Sequence, residues 1–171
     1  MADRLSINQD AISVAFRVSA LQTRLLLVLT IAYISPGVRA EERSNLFDDP
    51  FLQATNGIAN CPAPRGPEIT RGEMLAQSHV RAERGATCYR TGRCRLPNSY
   101  LYDKEIIPRV KKAIDADGRY AQTSIWVEGQ RRWVWLKGCV RREAEAKELE
   151  KLVRSIDDVE VVINELVAKE K

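Results

Sequence analysis

Three tryptophans, four arginines and four cysteines carry most of the chemistry open to this chain. Trp126, Trp133 and Trp135 lie within SIWVEGQRRWVWLKGCV (124–140), with Arg131 and Arg132 between them and Arg141 and Arg142 just beyond. Amphipathic aromatic rings beside guanidiniums suit a lipid headgroup layer or a protein-docking face. Cys61, Cys88, Cys94 and Cys139 make an even set without CxxC spacing, and the single histidine is His79. Disulfides are therefore expected rather than a metal site, and CxxCH, which haem attachment needs, is absent. Catalysis would need a nucleophile beside a base, or paired carboxylates in a cleft. His79 has no marked Cys or Ser partner, Asp157-Asp158 reads as a helix-ending turn, and Glu41-Glu42 as a solvated terminus. The spacing of Cys88 and Cys94 lacks the CxxC geometry that depresses a thiol pKa. No catalytic residue, metal ligand or cofactor is expected; the candidate binding residues are the three tryptophans and four arginines.

These side chains need elements to hold them. Residues two apart share a strand face, so Ile125, Val127, Val134, Leu136 and Val140 point one way. Trp126, Trp133, Trp135 and Cys139 point the other. This predicts a β-hairpin, apolar on both faces, turning near Glu128–Arg131 with Gly129 available for positive φ. Before it, Asp103 caps a helix whose stripe is Ile106, Val110, Ala113 and Ile114, with Pro108 awkward in an early turn. After it, a helix over 142–156 presents Ala146, Leu149, Leu152, Val153 and Ile156, and a third strand follows over 159–167. Upstream, residues 41–102 read as irregular. CPAPRGP (61–67) cannot form a helix or a central strand. Thr70-Arg71-Gly72-Glu73 matches a capping box for a helix over about 71–84, with Gly85 suited to its stop. The fold class is α+β: helix, strand, strand, helix, strand, with two helices on one face of a three-stranded sheet and a disulfide-linked N-terminal extension.

The first forty residues bear on compartment. An apolar run, LLLVLTIAYI (25–34), follows Arg17 and Arg24 and precedes Pro36-Gly37 and Val38-Arg39-Ala40. That is the order of a secretory signal peptide cleaved after Ala40, and the run is too short for a membrane span of about 20 residues. The expected division is 1–40 signal peptide, 41–102 cysteine-containing extension and 103–169 compact domain. Charge is uneven: net −3 over 41–80, +9 over 81–142 and −4 over 143–171. A basic middle between acidic ends points to an anionic partner such as phospholipid headgroups or cell-wall polymer, or to internal pairing with the acidic tail. Nucleic acid is not expected of an exported chain.

The segment from Asp103 to Val167 resembles the BON domain, the bacterial osmotic-shock and nodulation module. The resemblance rests on Asp103 with its Ile106/Val110/Ile114 stripe, on Leu136-Lys137-Gly138-Cys139-Val140 at the hairpin end, and on Val159–Asn164 in the closing segment. Asp158 and Arg132 stand where the family has glycines, Gly129 suggests a longer turn, and Cys139 and the tryptophans lie outside the pattern. One copy is visible. The resemblance implies a non-enzymatic, peripheral envelope protein in the periplasm, associated with phospholipid or stress survival.

In the resembling fold two helices cover one sheet face, leaving Val161, Ile163 and Val167 with the tryptophans on the other. Three readings compete for that face: a flap formed by residues 41–102, an anionic phospholipid surface, or docking onto another envelope or secretion component. Cys139 sits where a tether to a flap would, so Cys61–Cys139 with Cys88–Cys94 is one attractive pairing among the three possible.

Overall fold

The alternation that makes 124–140 a hairpin builds the middle of a four-stranded sheet. The computed structural model describes residues 40–169; the expected signal peptide, all but Ala40, lies outside the described residues. Strands β1 (Phe51–Asn56), β2 (Ser124–Gln130), β3 (Trp133–Val140) and β4 (Val161–Ala168) lie side by side in that order. The first two pairings are antiparallel and β3–β4 is parallel. A parallel neighbour requires a crossover. Of the helices α1 (Arg71–Arg90), α2 (Asp103–Asp117) and α3 (Glu143–Arg154), it is α3 that makes it.

This corrects the expected architecture. The described residues contain four strands and three α-helices, not three strands and two helices. The disulfides Cys61–Cys139 and Cys88–Cys94 lie in mid-chain rather than in an appended N-terminal extension. The added strand is β1, whose FLQATN has little β character of its own. It forms because Leu52 and Ala54 pack against the core and its backbone pairs with β2, Leu52 opposite Val127.

The helix-covered face is the core. Ile106, Ile107, Val110 and Ile114 of α2, Leu149 and Val153 of α3, and Ile125, Val127, Val134 and Leu136 of the hairpin are all essentially inaccessible. Pro108 does not delay or stop α2: it lies on the exposed side and removes only one early hydrogen bond. Helix α1 has a thin apolar edge and is docked by one cation instead. The Arg81 guanidinium lies 3.9 Å from both the Phe47 and Tyr100 ring centres and donates to both Asp49 oxygens at 3.0 and 2.6 Å. Gly85 is not a stop. The helix runs five residues further, and Gly85 is where Asn98 presses against it, so that any Cβ would collide with the Asn98 side-chain oxygen.

Candidate functional site

Register fixes what surrounds each tryptophan. On the face away from the helices, Trp126 is opposite Lys137, Glu128 opposite Trp135, and Gln130 opposite Trp133, with Val161 and Ile163 continuing the rows on β4. The tryptophans are therefore interrupted. The Lys137 ammonium meets the Glu128 carboxylate at 2.7 Å, with side chains 17% and 9% exposed. Reading the apolar residues alone missed both. The parity of Glu128 and Lys137 and their diagonal relation across the hairpin were the available signal. All three tryptophans are part-buried, and Trp133 and Trp135 lean together with centroids 6.1 Å apart.

The prolines of 62–67 explain the cover at the Cys139 end. A chain that cannot join a ladder crosses the face as a strap, bonded through Cys61 to Cys139, with the Lys137 ammonium donating to the Arg65 carbonyl at 3.4 Å. A groove of about 400 Å³ remains beside it, bordered by Pro62, Pro64, Lys137, Glu165, Val167 and Lys169.

The four arginines do not form one cluster. Arg131 and Arg132 are at one end of β3 and Arg141 and Arg142 at the other, separated by roughly 26 Å of strand. Arg141 donates to Glu145 at 2.6 Å and to Gln122 at 3.0 Å, whereas Arg142 is 71% exposed. Arg131 and Arg132 themselves make the turn, at φ 58° and 68°, and Gly129 lies inside β2 against Ile107, so the turn is not where Gly129 suggests. Left-handed backbone is unfavourable for residues with a Cβ. Here Asp103 holds it: its carboxylate accepts from the Arg131 and Arg132 amides at 2.6 and 2.7 Å. Burial raises the Asp103 pKa to about 6, although those two amides favour the ionised form.

Arg132 is largely structural. Its Nε donates to the Asp158 carbonyl at 2.8 Å and its Nη1 lies 3.3 Å from Cys94 Sγ. Asp158 is also left-handed, φ 71°, and accepts from Arg109 at 3.0 Å. Arg132 and Asp158, the two residues standing for glycines, thus keep glycine-like backbone and support each other. Arg131 is different: its guanidinium stacks over Trp133 at 4.6 Å and has no carboxylate partner among the described residues.

His79 is exposed on α1, and no cluster of three or more metal-ligating side chains occurs among the described residues. No described helix is long and apolar enough to cross a membrane. The family model of the BON domain matches residues 102–170. No curated protein and no solved structure matches the chain.

Proposed function

We propose, because this chain carries a single BON domain, that it is a non-enzymatic periplasmic protein, exported by a cleaved signal peptide at residues 1–40, that contacts anionic phospholipid. Its role would be to support envelope integrity or stress tolerance as a peripheral protein. The observation that carries this reading is the sheet end at Trp133, where two part-buried tryptophans lie together and the Arg131 guanidinium above Trp133 has no ion pair among the described residues. An aromatic ring seats at headgroup depth and a cation beside it meets lipid phosphate.

The expected result is a blue shift of tryptophan emission with phosphatidylglycerol vesicles, reversed by salt and absent with phosphatidylcholine. Arg131→Gln should weaken partitioning roughly fivefold, from about 1 kcal/mol per surface cation. Emission unmoved by anionic vesicles would overturn the reading.

One observation favours the alternative, docking of another envelope or secretion component. Among the described residues β4 is an edge strand, paired only with β3, and Val167 is 56% exposed at the groove beside the strap. An extended segment of a partner could add to this edge. Such addition would protect the β4 amides from hydrogen exchange, which lipid binding at Trp133 would not.

A further inference from the structure

The hairpin tip meets two other parts of the chain: the last turns of α1 and the 91–98 loop that leaves it. Where they converge there is a cavity of about 70 Å³, bordered by Arg84, Cys88, Arg93, Ser99, Arg131 and Glu160. The recess is open to solvent on one side and has room for a small oxyanion group.

Its charge is one-sided, three guanidiniums against a single carboxylate. Other arginines nearby are paired: Arg90 with Glu83, Arg95 with Glu105, Arg81 with Asp49. Arg84 and Arg131 form no ion pair among the described residues, and there the Arg93 guanidinium donates only to the Thr91 hydroxyl, at 3.1 Å. Three arginines around one small space repel one another, with Arg131 part-buried and Arg84 and Arg93 exposed. A sequence that places them there and spends its carboxylates elsewhere leaves room for an anion.

Ser99 gives an independent indication. It is 3% exposed, and its hydroxyl has no hydrogen-bond partner among the described residues. Buried hydroxyls are normally satisfied. A hydroxyl left without a partner on a residue that borders an arginine-lined recess is a spare donor for an oxygen the protein does not itself supply.

We propose that Arg84, Arg93, Arg131 and Ser99 form a site for a single phosphate-type oxyanion. Forked guanidiniums suit phosphate oxygens, and the hydroxyl adds a short neutral donor. The Cys88–Cys94 bridge holds the end of α1 to the loop carrying Arg93, so it fixes two of the three arginines relative to each other. The source of the phosphate could be a lipid headgroup or a soluble ion. The site goes beyond the membrane reading, because a soluble ligand would fill it with no vesicle bound.

The test is titration of the disulfide-intact protein with inorganic phosphate at constant ionic strength, followed by amide shifts at Arg84, Arg93 and Ser99. Saturable shifts at these residues are expected. Arg84→Gln and Arg93→Gln should each weaken phosphate at least about tenfold, charge-assisted bonds being the strong class. Ser99→Ala should weaken it severalfold without loss of folding, since alanine removes only an unpaired hydroxyl. Phosphatidylglycerol vesicles form a second arm. Competition between vesicles and phosphate assigns the site to a headgroup; phosphate binding without it assigns a soluble oxyanion and leaves the membrane reading to fail alone. Absence of saturation, or phosphate affinity unchanged in all three variants, would overturn the site.

Discussion

Replacing Cys61 and Cys139 together by serine is expected to destabilise the protein by about 4.5 kcal/mol, the loop-closure value for a 78-residue separation. No other cross-link spans so much of the chain. The bond joins the strap to the buried Cys139, 2% exposed, so the strap's order over the tryptophan face depends on it. The strap has little else to hold it: three prolines forgo amide donors, and Lys137 supplies one long bond to Arg65. The midpoint of thermal unfolding should fall by about 15 °C. Hydrogen exchange should accelerate along 57–69 before the core helices are affected. The same replacement at Cys88 and Cys94, six residues apart, should cost only about 2 kcal/mol. Equal losses for the two pairs, or a loss below about 1 kcal/mol for the long one, would refute this ordering.

That contrast marks how far the sequence could be read. Strand parity alone put Ile125, Val127, Val134 and Leu136 inward and the tryptophans outward, because a two-residue period leaves no other choice. Parity says nothing about what a face receives. Phe51–Asn56 has no alternation strong enough to announce an edge strand; the hydrogen-bonding edge of β2 recruits it. Gly85 and Gly129 read as a helix stop and a turn, since glycine permits both. Each instead makes room for a neighbour distant in sequence, Asn98 and Ile107. Arg131 and Arg132 were legible as cations at a hairpin, but not as the turn itself, because the partner that makes such a turn tolerable lies 28 residues upstream.

That partner is Asp103, and it gives the second large effect. Read as a helix cap, it is 1% exposed and accepts from the two amides of the left-handed turn. Asp103→Ala should cost about 3 kcal/mol at pH 7, because it strands two donors held in place by the hairpin. The charge has its own cost. Burial raises the pKa from 3.8 to about 6, with Asp49 adding to the rise and Arg81 opposing it. A carboxyl whose folded pKa lies above its unfolded value binds protons more tightly when folded. Its stabilisation is therefore complete below about pH 4 and is lost as pH rises through 6. From this group alone, stability should increase by about 1.4 kcal/mol between pH 7 and pH 5. Carboxylates held below their ordinary range, such as Glu73 and Glu150, act in the opposite direction, but mainly at lower pH. The clean measurement is thus a difference: denaturant unfolding of the native protein and of Asp103→Asn at both pH values. Asn cannot titrate, so the gap should shift toward the native protein on acidification. A gap independent of pH would mean that the two short amide bonds outweigh burial, leaving Asp103 ionised from pH 5 to pH 7.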